Sequence, residues 1–182
     1  MAKEKVYVQI DGSNFYHRLK ELKLKNLLAF DYQKFAKFLL SRNNKELITA
    51  KYYIGAIREE ENNATSRKLM ANQIKLFNSL KKQEWRIGLG NMLKTDTYHE
   101  KGVDVLIATD MLVGAYENIY DKLFLISSDT DLLPAIDKAK QLGKIIEYIG
   151  FSHKPSHAMI DRCSSSYLLR KGDLEEFIGQ NN

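Results

Sequence analysis

Two stretches of this chain place carboxylates where an apolar run gives way to a helical pattern. One is Asp11-Gly-Ser-Asn14, which follows Val6-Tyr-Val-Gln-Ile10. The other is Ser127-Ser-Asp-Thr-Asp131, which follows Leu123-Phe-Leu-Ile126. An unbroken apolar run suits a strand buried on both faces of a parallel sheet, and ligands bind at the carboxyl ends of such strands. One Asp at that place is explained as a helix cap. A second Asp two residues on is not required for a cap, and Asp11 has no evident capping duty if Ser13 or Asn14 caps the following helix. A third acidic position, Asp104, falls in the first turn of the next helical pattern, where the helix dipole favours an anion.

If these acids converge, they repel one another by roughly 3 kcal/mol per pair at about 5 Å and an effective dielectric near 20. Either some carry protons or a cation sits among them. An all-oxygen donor set favours Mg²⁺ or Mn²⁺ over zinc. Such an ion activates water and clamps phosphate, which points to metal-assisted phosphodiester hydrolysis.

Alternating elements must position these groups. The pattern predicts strands at Val6–Ile10, Leu47–Ile54, Trp85–Leu89, Leu123–Ile126 and Lys144–Ile149. Helices are expected after Asp11, from Asp31 to about Arg42, from Thr65 to Lys82, from Lys101 to Gly114, and from Leu132 to Gly143. The long helix is expected to bury Leu69, Ile74, Phe77 and Leu80. Met92 to His99 reads as a polar connection. Ser156–Arg162, Tyr167–Leu169 and Leu174–Ile178 read as small closing elements. This alternation gives an α/β fold with a parallel sheet covered on both faces. If the first and fourth strands are neighbours, Asp11, Asp129 and Asp131 meet at the point where strand order reverses, and Asp104 reaches the same cleft. Asp110, six residues beyond Asp104, points away from it at about 100° per residue.

In that order and at those separations, Asp11-Gly-Ser-Asn14, Lys101-Gly-Val-Asp104 and Ser127-Ser-Asp-Thr-Asp131 resemble the motifs of NYN domains in the PIN-like nuclease group, in particular the bacterial LabA-like branch. The likeness runs from Val6 to about Ile178. It implies a three-layer sandwich with a five-stranded parallel sheet in the order 3-2-1-4-5. It implies that Asp11, Asp104, Asp129 and Asp131 hold one or two Mg²⁺ or Mn²⁺ ions, with Asn14 and Ser127 supporting the cluster or the substrate and Asp110 at a position where relatives often carry an acid. The implied activity is cleavage of single-stranded or structured RNA by an endonuclease that leaves 5′-phosphate and 3′-hydroxyl ends. Relatives often pair, so a homo-oligomer is compatible with the resemblance.

Composition agrees with these expectations. The chain has 182 residues and a net charge of +5, a moderate basic excess that suits a phosphate-bearing partner. Arg58, Arg67, Lys68, Lys94 and Lys101 are the candidate contacts to nucleic acid, and Tyr16 could stack on a base. The competing reading of the segment from Arg58 to Arg67 is a solvated charged loop. The single cysteine, Cys163, allows no internal disulfide and no CxxC zinc site, which suits a reducing cytosol. No secretory signal and no membrane span are expected, and one domain covers residues 1–182. The histidines at 17, 99, 153 and 157 are scattered and read as surface or helix residues. No Walker loop, G-x-G-x-x-G or G-x-S-x-G element is present, which sets aside P-loop, dinucleotide-binding and serine-hydrolase chemistry. Two other functions fit the acidic cleft: an RNA-binding or regulatory module with little turnover, and a phosphohydrolase for a small metabolite.

Overall fold

The computed structural model describes residues 3–41, 45–57, 63–94 and 98–179, with backbone alone for 92–94 and 98–100. Along β1 (Glu4–Asp11), Val6, Val8 and Ile10 face one side of the sheet while Tyr7, Gln9 and Asp11 face the other. One short strand thereby anchors both halves of the core. Its partners are β2 (Lys45–Ala56) and β5 (Lys122–Ile126), both parallel. Beyond β2 lies β3 (Arg86–Lys94), and beyond β5 lie β6 (Ile145–Phe151) and β7 (Ser165–Leu169), all parallel. A short strand, β4 (Tyr98–Lys101), pairs antiparallel with β3 and closes that edge.

The full sheet has seven strands in the order β4-β3-β2-β1-β5-β6-β7. The six parallel strands, taken in chain order, run 3-2-1-4-5-6. The expected five-strand order is therefore present but extended at both edges. Tyr167–Leu169, expected as a minor element, is part of the sixth parallel strand. The supposed polar connection over Met92 to His99 begins as the end of β3 and finishes in β4. Edge strands with mixed polarity lack the apolar signature of central ones, which is why both escaped the pattern.

Helices α1 (Gly12–Glu21), α2 (Tyr32–Leu40), α3 (Ala64–Lys82) and α7 (Lys171–Glu175) pack on one face. Phe15, Phe30, Phe35 and Phe177 meet there edge to face or tilted, with ring centres 5.3–5.9 Å apart. Helices α4 (Val103–Tyr116), α5 (Leu133–Gln141) and α6 (His157–Arg162) cover the other face. Asp31 caps α2, accepting from Lys34 N at 2.7 Å, and Gly143 takes a left-handed φ of 80° just beyond α5, both as the pattern predicts.

The buried side of α3 differs from expectation. Leu80 is buried, but Leu69 and Ile74 are exposed, and Gln73 takes a place in the interior. Its Nε2 donates to Gly55 O at 2.8 Å and its Oε1 accepts from Ile57 N at 2.9 Å, so it completes the end of β2. A buried Gln of this kind is stable only because both ends are bonded. Among the described residues no helix is long and apolar enough to cross a membrane.

Candidate metal and phosphate site

The reversal of strand order falls between β1 and β5. Ile10 is paired with Ile126, so the next residues, Asp11 and Ser127, emerge side by side on the α4 and α5 face. Asp11 is 5% exposed and Ser127 1%. Ser127 Oγ donates to Asp11 Oδ2 at 2.9 Å and accepts from Asp129 N at 3.2 Å. Asp11 Oδ1 accepts from Asn14 N at 3.0 Å, which caps α1. The cap expected from Ser13 or Asn14 thus belongs to Asp11.

Asp129 is half-buried and caps the single 3-10 turn Thr130–Leu132, its Oδ1 accepting from Asp131 N at 2.9 Å. Both motif aspartates therefore perform the capping duty that was the competing reading. A carboxylate can accept more than one such bond, so capping does not by itself preclude holding a cation. Asp131 is exposed. Asp104 lies half-buried in the first turn of α4, just after Gly102, whose left-handed φ of 79° lets the chain leave β4 and enter the helix. Lys101 is exposed at the end of β4.

The structure places Asp110 elsewhere. Its Oδ2 accepts from Lys51 Nζ at 2.5 Å and from Tyr53 OH at 2.7 Å. Tyr53 OH in turn accepts from Gln9 Nε2 at 2.8 Å and shares a 2.8 Å bond with Tyr7 OH. Since Tyr53 spends its one proton on Asp110, Tyr7 is the donor in that last bond. Burial, then the Tyr7 hydroxyl and the Asp110 carboxylate, push the Tyr53 phenol far above its ordinary value, so it remains a neutral donor. Asp110 is thus tied to a buried polar knot under α4, two residues of β1 away from Asp11. Nothing in the composition of Tyr7, Gln9 and Tyr53 announced this knot. It depends on the register of β1 against β2.

The donor set suits a hard cation. Every candidate ligand is an oxygen, and Asn14 Oδ1, three residues on from Asp11, is a buried acceptor with no hydrogen-bond partner among the described residues. Among the described residues, no three Asp, Glu, His or Cys side chains are already grouped to hold a metal ion. Arg67 and Lys68 are exposed in the first turns of α3. Arg58 lies outside the described residues, and the side chains of Lys94 and His99 do as well. His17, His153 and His157 are all at the surface. Cys163 is buried, which pushes its thiol up to about 12 and removes it as a nucleophile.

A cavity of about 560 Å³ opens next to this site, between α1, α3, the 3-10 turn Leu27–Ala29 and the end of β2. Ser13, inside the Asp11-Gly-Ser-Asn14 turn, is part of its wall.

The family model described as NYN domain matches residues 5–169. No curated protein matches the chain. A solved structure, a protein of unknown function from Vibrio parahaemolyticus, superimposes with a TM-score of 0.65 at 23% identity, covering 93% of this chain and 94% of that one. At that identity the likeness establishes the fold.

Proposed function

The chain belongs to the NYN-domain family, a family of PIN-like nucleases, and from that premise we propose that it is a divalent-metal-dependent ribonuclease of the LabA-like branch. The observation that carries this reading is the Ser127–Asp11 bond at the reversal of strand order, which joins the two acidic motifs into one site. Asp11, Asp104, Asp129 and Asp131 would hold Mg²⁺ or Mn²⁺, and Asn14 Oδ1 offers the ion a further buried oxygen. Asp104 and Asp129, both half-buried, and Asp131, exposed, would complete the set. When bound, such an ion lowers the pKa of water and offsets charge developing on the phosphate.

The chain's own groups set the geometry. Ser127 fixes the Asp11 carboxylate by donating to one of its oxygens. Lys101, beside Asp104, would take a phosphate oxygen of the substrate. Arg67 and Lys68 would hold the RNA backbone farther along α3. The products would be those of an endonuclease, with 5′-phosphate and 3′-hydroxyl ends. A cytoplasmic location and a single domain over residues 1–182 belong to the same reading. So does a homo-oligomer, since Val105, Val113 and Tyr116 stand exposed on α4.

A second reading draws on the absence of a preformed acidic cluster among the described residues. It makes the chain an RNA-binding module with little turnover. Incubation of labelled single-stranded RNA with Mn²⁺ and with EDTA separates the two. The nuclease cuts with Mn²⁺ and stops in EDTA. The module binds equally in both, with an affinity that falls as salt rises, and cuts in neither.

A further inference from the structure

We propose that the cavity beside the carboxylate site is a subsite for one nucleobase of a single-stranded RNA, stacked on Tyr16. The proposal rests on the RNA substrate of the reading above. The cavity, at about 560 Å³, lies within the range of small-molecule sites and exceeds what one base needs. Its mouth is apolar: Tyr16, Leu28 and Leu69 line it and are 46%, 40% and 41% exposed. Exposed apolar groups gathered around a concavity mark a binding surface.

Three features favour a base over an apolar peptide. The Tyr16 ring is accompanied by a cation, with Lys20 Nζ 5.5 Å from the ring centre, so a base stacked there brings its phosphate within reach of an ammonium. The Asn72 side-chain amide lines the cavity, half-buried and with no partner among the described residues. It offers both a donor and an acceptor to a base edge. Finally, the Asp11-Gly-Ser-Asn14 turn serves both places. Asp11 faces the strand-order reversal while Ser13 faces the cavity, so a strand crossing the end of β1 meets one and then the other. The wall behind the mouth is firm, because Tyr52 OH donates to Gly12 O at 3.2 Å.

The test is the affinity of the full chain for a short labelled single-stranded RNA in EDTA, where no cleavage interferes. Tyr16→Ala is expected to weaken binding about tenfold, as loss of one stacked base does, and Tyr16→Trp is expected to retain it. Replacing one nucleotide by an abasic residue, position by position, is expected to erase the difference between the wild type and Tyr16→Ala at one position. Equal affinity of Tyr16→Ala and the wild type would overturn the proposal and assign the cavity to a protein partner. A loss that persists on a wholly abasic strand would overturn it too, as would failure of the wild type to bind RNA. Cleavage in Mn²⁺, read in parallel, keeps the two readings apart. Tyr16-dependent, base-dependent binding without cleavage leaves the subsite standing and removes the nuclease. Cleavage with Tyr16-independent binding does the reverse.

Discussion

Tyr53 is fully buried where Gln9, Tyr7 and Asp110 converge. Removing its hydroxyl in Tyr53→Phe strands one N–H of Gln9, whose other bond to Ile107 O at 3.4 Å remains, together with the Tyr7 hydroxyl and one bond of the Asp110 carboxylate. Each stranded group costs about 1–3 kcal/mol, so we expect the variant to lose at least about 2 kcal/mol of stability by denaturant titration. A loss below about 0.5 kcal/mol, the level of an ordinary surface change, would contradict the network. One contrast of position explains which residues of the candidate site stand out in the sequence. Asp11, Ser127 and Asp129 were legible because they interrupt apolar runs at strand ends, where polar groups have no business in a core. Gln9, Tyr53 and Gln73 were not, because a buried polar side chain is justified only by partners far away in sequence. Asp110 stands where relatives often carry an acid, and helix periodicity points it away from Asp104; the turn of α4 delivers it to Lys51 and Tyr53.

The start of α1 depends on Gly12 for space rather than for backbone freedom. The turn needs no unusual φ there. It needs the missing side chain, because a Cβ would stand 2.3 Å from Tyr52 Cε1 and 2.6 Å from the Tyr53 carbonyl oxygen. Gly12→Ala must therefore push β2 and α1 apart. We expect about 1–3 kcal/mol of destabilisation, with RNA binding and cleavage lowered as Asp11 moves. Unchanged thermal stability would count against this packing. The far end of α1 is tied down by charge. Arg18 first, then His153, hold the Glu21 carboxyl well below 4.5, at about 2. Because the folded value is depressed, this contribution is complete above about pH 4.5 and is lost as pH falls toward 2. A carboxyl titration by NMR should show the Glu21 midpoint rising in Arg18→Ala; an unmoved midpoint would remove Arg18 as the cause. At this scale the central strands and the capped helices were readable from periodicity. The edge strands β4 and β7 were not, since their pairing is decided by the strand next door.

The chain as a whole is an ordered set of crossovers that brings strand ends together. Six parallel strands in the order 3-2-1-4-5-6 reverse between β1 and β5, and the acidic motifs follow those two strands. Alternation of apolar runs and amphipathic stretches predicts a parallel sheet covered on both faces, whereas the strand order is implied only by the resemblance to NYN domains. What alternation does not give is the spacing of the carboxylates, which depends on the conformation of each side chain. Two surfaces then serve one edge of the sheet: the acidic site on the α4 side and the apolar cavity on the α1 side. The net charge of +5 suits a phosphate-bearing partner. The most direct measurement is cleavage of single-stranded RNA in Mn²⁺ by the wild type and by Asp129→Asn, purified side by side. Asp129→Asn keeps an oxygen to cap the 3-10 turn and loses only the charge. We predict metal-dependent cleavage by the wild type and a loss of at least about a hundredfold in the variant, on the scale of removing one group that stabilises transition-state charge. Equal cleavage by the two proteins would contradict the assignment of chemistry to this site.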